Sequence, residues 1–382
     1  LNNIGLIHNS LGENQKALDC HTKALPLRRA VGDRNGEAAT LNNIGLVHYS
    51  LGDYRKALDF FTRALPLLRA AGDRRLEAIT LNNIGEVYRS LGENQKSLGF
   101  YNQALPLRRA VGDRNGEATT LNNIGLVHYS LGDNQKSIDY YNQALPLLRA
   151  GGDRNREAKT LDNIGLVYFS LGEKQKALDY YNQALPLLRA GGDRSGEATS
   201  LNNIGSVYSS LGEYRKALDF YTQALQLYRA VGDSLGEGAT LNNIGAAYNS
   251  LGEKQEALDF YNQALPLSRA GGDRSREAAT LTNIGVVLDS LGEWQKAHYF
   301  YTQALRIRRE VGDRSGEALT LNNIGLVLYS LGGNQKPLEF FIQALPLSRA
   351  AGARSIEAAT LGNIAYSKRA LGHFNESRSY IE

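Results

Sequence analysis

The stretch LNNIGLVHYSLGDYRKALDFFTRALPLLRAAGDRRLEAIT, residues 41–80, decides the fold, because it is one full period of the chain. Its opening LNNIG starts again at residues 1, 81, 121, 201, 241 and 321, with LDNIG at 161–165, LTNIG at 281–285 and LGNIA at 361–365. The 382 residues therefore comprise nine 40-residue repeats and a partial tenth over 361–382, with no insertion or deletion. A period of roughly 20–50 residues marks a unit that buries its apolar face only by stacking on its neighbours. A single array over 1–382, with no internal domain boundary, is the expectation.

Two helical stretches lie within each repeat. The first runs from about Glu37 to Ser50 and stops at Leu51-Gly52, where glycine can adopt the left-handed cap conformation. The second starts behind Asp53, a good N-cap, and runs to Gly72; Gly72-Asp73 then repeats the stop-and-cap signal. On the first helix, positions equivalent to Leu1, Ile4, Gly5, His8 and Leu11 fall on one arc of about 120° at ~100° per residue. On the second helix the expected buried positions are those of Ala17, Leu18, His21, Ala24, Leu25 and residue 28 where it is Leu. Small residues at positions 5, 17 and 24 allow close approach. The fold class is all-α, a solenoid of stacked antiparallel helix hairpins.

The pattern L-x-x-I-G-x-x-Y-x-x-x-G-x-x-x-x-A-x-x-x-Y-x-x-A, present at Leu161, Ile164, Gly165, Tyr168, Gly172, Ala177, Tyr181 and Ala184, resembles the tetratricopeptide repeat. The 40-residue length and the closing G-D-R-x-G-E-A resemble the variant found in kinesin light chains, Partner-of-Inscuteable adaptors and many bacterial multi-repeat proteins. The resemblance covers the whole chain. It implies a right-handed superhelix whose concave groove, lined by the first helices, holds a protein or peptide ligand.

Two features depart from the pattern. Proline occupies position 26 in seven repeats, at Pro26, Pro66, Pro106, Pro146, Pro186, Pro266 and Pro346, inside the second helix. Each removes a helical hydrogen bond and favours a kink, so the helices with Gln226 and Arg306 should be straighter. The last repeats decay: Gly333, Pro337, Ala353 and Lys368 replace an acidic cap, a small residue, Asp and the packing aromatic. The array's natural end is therefore expected nearby. The first repeat begins mid-helix and the chain has no Met, so further sequence is expected ahead of Leu1.

Positions 2, 3, 6, 9 and 10 fall opposite the packing arc. Position 3 is Asn in all ten repeats, including Asn43, Asn83, Asn123, Asn163, Asn203 and Asn243. Asn is a poor mid-helix residue, by roughly 0.5 kcal/mol against Ala. Two compensations are open: a carboxamide ladder for an extended ligand backbone, or bonds to the neighbouring repeat. Position 6 carries Leu46, Leu126 and Leu166, and position 9 carries Tyr49, Tyr129 and Phe169. These apolar residues are either a partner surface or are half-buried between adjacent first helices. They concentrate in repeats two to five, the expected groove segment. Charges here are few, among them Glu86, Arg89, Lys159, Asp162, Asp289 and Arg369. Position 2 is Asn, Asp, Thr or Gly, which does not support a basic clamp for a terminal carboxylate. Recurring Arg29, Asp33 and Glu37 equivalents read as an interhelical ionic and capping network.

With 43 Lys+Arg against 39 Asp+Glu, the charge balance offers no case for nucleic acid. No apolar run reaches the ~18 residues of a membrane span. The single cysteine, Cys20, fits a reducing, cytoplasmic setting and excludes a disulfide framework. The six histidines are scattered, and no phosphate loop, nucleophile elbow or zinc spacing is present, so neither a cofactor nor catalysis is expected. The function expected is protein binding. Alternatives are a sensor or recruitment arm of a larger signalling or protease protein, and a structural array that self-associates head to tail.

Overall fold

The computed structural model describes residues 1–333, 335–378 and 380. Its contacts group into two compact units, Leu1–Asp193 and Arg194–Glu382, while the sequence period runs through the boundary unchanged. The first unit holds α1 (Asn2–Ser10), α2 (Asn14–Ala30), α3 (Arg34–Ser50), α4 (Tyr54–Ala71), α5 (Arg74–Ser90), α6 (Asn94–Ala110), α7 (Arg114–Ser130), α8 (Asn134–Gly151), α9 (Arg154–Ser170) and α10 (Lys174–Gly191). The second holds α11 (Arg194–Ser210), α12 (Tyr214–Val231), α13 (Ser234–Leu251), α14 (Lys254–Ala270), α15 (Arg274–Ser290), α16 (Trp294–Val311), α17 (Arg314–Ser330), α18 (Gln335–Ala350), α19 (Arg354–Ala370) and the short α20 (Phe374–Arg378). Odd-numbered helices are the A helices of the repeat and even-numbered ones the B helices. Within each unit every A helix packs on the B helix that follows it, on the B helix before it where there is one, and on the next A helix.

Both helix boundaries follow from local chemistry. The nineteen glycines at positions 12 and 32 all take positive φ, between 65° and 86°, which only glycine adopts without strain. The A helix starts one turn earlier than the sequence reading placed it. Asp33 accepts a hydrogen bond from the Gly36 amide at 2.8 Å and so caps a helix that begins at Arg34, with Gly36 tolerated in its first turn. Asp113, Asp233 and Asp313 repeat this cap, whereas Ala353 has no side chain to do so.

Burial corrects the predicted packing face. Leu41, Ile44 and Gly45 are buried as expected, but so are Ala38, Thr40 and Val47. The buried arc therefore widens to roughly 180°, because each interior A helix meets B helices on two sides. Leu51, Leu91 and Leu131 are instead 40–51% exposed, although position 11 was expected inside. They lie just past the helix end, as its C-cap, where the side chain leaves the apolar stripe.

Gly45, Gly85 and Gly125 have a steric purpose. A Cβ there would lie 2.6–2.7 Å from the ring of Phe61, Tyr101 or Tyr141 on the following B helix. Those three rings are at most 1% exposed, and together with Ala57, Ala64, Ala104 and Ala144 they form the hairpin core. Burying such a side chain stabilises by about 1.5–3 kcal/mol. The seven prolines sit inside otherwise continuous B helices. All are exposed, as are the residues four positions earlier, so each freed carbonyl faces water.

Candidate functional site: the open face of the A helices

The A helices keep one arc outside the core, and all twelve residues picked out from the sequence lie half-buried on it. Asn43, Leu46 and Tyr49 are on α3, Asn83 on α5, Asn123, Leu126 and Tyr129 on α7, and Asn163, Leu166 and Phe169 on α9; Asn203 and Asn243 stand on α11 and α13.

The asparagine ladder runs between repeats. The Asn83 amide donates to Asn42 Oδ1 at 3.2 Å, Asn123 to Asn82 at 3.5 Å and Asn163 to Asn122 at 3.4 Å. In the second unit Asn243 donates to Asn202 and Asn283 to Asn242, both at 3.1 Å. The hydroxyls of Thr80, Thr120 and Thr160 lie 3.1–3.2 Å from the same position-2 oxygens and also near a carbonyl one turn back, their single proton serving one acceptor at a time. Stacking thus uses one donor of each position-3 carboxamide in these pairs. Its oxygen and second N–H have no partner among the described residues at Asn83 and Asn123. Sequence reading missed the position-2 partner; the recurrence of Asn at 2 as well as 3 was the available signal.

The apolar residues are shared between two environments. Leu46 and Tyr49 pack on the core of repeats two and three, and Leu126 and Tyr129 on that of repeats four and five, each keeping part of its surface in solvent. The Tyr49 ring also lies 5.6 Å from that of Tyr54, tilted by 47°. Repeat three differs, because Glu86 and Arg89 replace the Leu and aromatic. Glu86 accepts from Arg89, from Tyr101 Oη at 2.7 Å and from Tyr49 Oη at 3.3 Å. Burial pushes its carboxyl up, but the three donors together outweigh burial and hold it below the ordinary carboxylate range. In the second unit repeats six to eight carry Ser206, Ser209, Ala246, Asn249, Val286 and Asp289 at the same positions, a smaller and more polar surface, and repeat nine returns to Leu326 and Tyr329. Burial raises the Asp289 carboxyl pKa.

The other recurrences are architectural. Arg29, Arg69, Arg109 and Arg149 pair through Nε with Glu37, Glu77, Glu117 and Glu157 at 2.6–2.7 Å, linking each B helix to the next A helix. The arginines are half exposed, so each pair contributes about 1 kcal/mol or less. His48 and His128 stack on Phe60 and Tyr140 at 5.4 Å, as Tyr88 does on Phe100, so these histidines are packing residues. A cleft of ≈ 130 Å³ between α7, α8 and α9 is lined by Thr119, Asn122, Arg156, Lys159 and Thr160. Its two cations are paired with Asp153 and Asp193, both at 3.1 Å, and ligand pockets are typically some 300 Å³ or more. Among the described residues no group of three or more His, Cys, Asp or Glu is placed to hold a metal ion, and no helix is long and apolar enough to cross a membrane.

Stacked hairpins that bury two sides of every interior A helix and leave a third open define an α-solenoid of helical repeats. A family model described as tetratricopeptide repeat matches residues 1–70, 76–150 and 196–270, more than half of the chain, and two further tetratricopeptide repeat models match 278–311 and 158–187. The chain belongs to the tetratricopeptide repeat family. No curated protein sequence matches it significantly. Among solved structures, it is similar to the apo form of the quorum sensor NprR from B. thuringiensis, at 17% identity and TM-score 0.61, covering 93% of this chain and 97% of that one. A Rap protein complexed with competence and sporulation factor matches at 15% identity and TM-score 0.61, over 90% and 96% of the two chains. The STAND-class signal transduction ATPase PH0952 from Pyrococcus horikoshii, described as having a tetratricopeptide repeat sensor, matches at 15% identity and TM-score 0.66, over 89% of this chain and 51% of that one. At these identities the likeness is one of fold.

Proposed function

We propose that the chain is a non-catalytic binding module that holds an extended peptide or a partner helix against the open A-helix face of the first unit. The observation that carries this reading is the strip formed by Leu46 and Tyr49, Leu126 and Tyr129, and Leu166 and Phe169, which the fold leaves partly in water. Family membership supports it, since tetratricopeptide repeat solenoids serve as interaction scaffolds. The Rap protein complexed with a sporulation factor is an instance of a related fold holding a partner. The Asn83, Asn123 and Asn163 carboxamides flank the strip with an unused acceptor and donor for a ligand backbone.

The test separates binding from stacking. Changing Asn83, Asn123 and Asn163 to Ala removes both the exposed carboxamides and their inter-repeat bonds. Changing Asn42, Asn82 and Asn122 to Ala removes the same bonds from the other side and leaves the ladder itself in place. Peptides selected on the wild-type chain should bind the first variant at least tenfold more weakly and the second nearly as well as wild type. Equal losses in both would assign the ladder to stacking alone.

The sensor-arm reading uses the same face, with occupancy passed to a flanking effector; likeness to the sensor-bearing ATPase agrees with it but rests on fold. Head-to-tail self-association would appear as concentration-dependent light scattering, and a monomer at every concentration would dismiss it.

A further inference from the structure

The strip of the first unit is interrupted once. At positions 6 and 9, repeats two, four and five carry Leu with Tyr or Phe, and repeat three carries Glu86 and Arg89. Glu86 is inward-facing in its bonding. Oε1 takes the Arg89 guanidinium and the Tyr49 hydroxyl, and Oε2 takes the hydroxyl of Tyr101, a side chain with 0% exposure. Three of its roughly four acceptor positions are therefore taken up within the protein. Arg89 is 34% exposed, gives one terminal nitrogen to Glu86, and has no other hydrogen-bond partner among the described residues. Its Nε is buried and unpartnered, which leaves the terminal N–H groups as the open ones. What repeat three offers a ligand is chiefly the remaining N–H donors of a guanidinium whose charge Glu86 balances, between apolar pads on both sides.

We propose that Arg89, held in place by Glu86, selects an acidic side chain within an extended peptide, while Leu46 with Tyr49 and Leu126 with Tyr129 receive apolar side chains on either side. A guanidinium–carboxylate hydrogen bond is about twice as strong as one to a neutral carbonyl, so an acid fits Arg89 better than backbone alone. A chain terminus would leave one of the two pads empty, so the acid is internal. With helices packed about 10 Å apart and ~3.3 Å per extended residue, pads and anchor are roughly three residues apart. The ligand pattern is apolar-x-x-acidic-x-x-apolar. This inference rests on the open face being the binding surface.

The experiment is selection of random twelve-residue displayed peptides on the full chain, followed by fluorescence anisotropy with amidated synthetic copies. The key variant is Glu86→Leu with Arg89→Tyr, which rebuilds repeat three with the residues of repeat four, where Leu126 and Tyr129 lie above Tyr141 in a folded hairpin. Wild type should prefer Asp or Glu in the central place over Asn or Gln by about tenfold, and the double variant should lose that preference while still binding both peptides. The reciprocal variant, Leu126→Glu with Tyr129→Arg, should create the preference one repeat further along, a gain that misfolding cannot mimic. Peptides that lack an acid, or a preference that survives in the Glu86→Leu, Arg89→Tyr chain, overturn the proposal. If such peptides are still lost on Leu126→Lys, the binding face stands and only the role of Arg89 falls; if no selected peptide responds to any of these changes, both fall.

Discussion

Gly85 shows how a single missing atom sets the distance between two helices. Alanine is the better helix former by about 1 kcal/mol, but its Cβ would sit 2.6 Å from the Tyr101 ring, which is fully buried and has no room to move. Packing wins. Gly85→Ala should destabilise by about 1–3 kcal/mol in denaturant unfolding. Gly99→Ala should stabilise by about 0.5–1 kcal/mol, since nothing lies within 4 Å of a Cβ at that helical position. The buried tyrosines make a second contrast. Tyr101 donates to Glu86, whereas the Tyr181 hydroxyl is buried with no hydrogen-bond partner among the described residues. An unmade buried hydrogen bond costs about 1–3 kcal/mol. Tyr181→Phe should leave the midpoint unchanged or raise it, and Tyr101→Phe should lower it; a matching loss in both would show that the Tyr181 hydroxyl does find a partner.

Among the elements, the B helices carry the least favourable residue in their middle. Pro66 lies within the continuous helix Tyr54–Ala71, and the carbonyl it leaves without its helical donor belongs to exposed Thr62. Pro66→Ala should restore that bond and raise stability by about 1–3 kcal/mol, read as a shift in the unfolding midpoint. A lowered midpoint would mean that the bend favoured by proline is itself required for stacking. Periodicity located this helix well, because Asp53 and Gly72 mark its ends by their own side-chain and backbone chemistry. The sequence reading sets the start of the A helix three residues late, at Glu37, although the recurring Gly-Asp pair already marks the cap; the Asp33 carboxylate accepts from Gly36 and so holds that glycine within the first turn.

Over the whole molecule, titration should divide the two units. Burial lowers the pKa of His21, His48 and His128, all in the first unit. A histidine whose folded pKa lies below its unfolded value of about 6.5 takes up protons more readily when unfolded. Its neutral packing therefore favours folding fully above about pH 6.5, and that contribution is lost as the pH falls toward the folded pKa. The Asp33, Asp53, Asp113 and Asp133 carboxyls have the opposite charge and the same direction. Their pKa values are held down by cap hydrogen bonds and basic neighbours, and their contribution fades as the pH falls below about 4. Hydrogen exchange at pH 7.5 and pH 5.5 should then show protection lost first around α2, α3 and α7. Replacing His48 and His128 by Tyr, the residue of four other repeats, should remove that early loss around α3 and α7; an acid response that persists there in this variant would assign it elsewhere.

The repeat length, the hairpin, both glycine stops and the open arc with its asparagines, leucines and aromatics could be read from the sequence alone. Each depends on interactions within some forty residues, and a tenfold repetition makes such local signals unmistakable. The partners across repeats could not be read that way. That Asn83 reaches Asn42, that Val47 is covered while Leu51 is not, and that Tyr49 and Tyr101 converge on Glu86 all depend on contacts between residues 15 to 41 positions apart. Period and propensity are properties of one helix, whereas burial and hydrogen-bond partnership are decided by which neighbouring helix lies against it, and that is settled only when the hairpins stack.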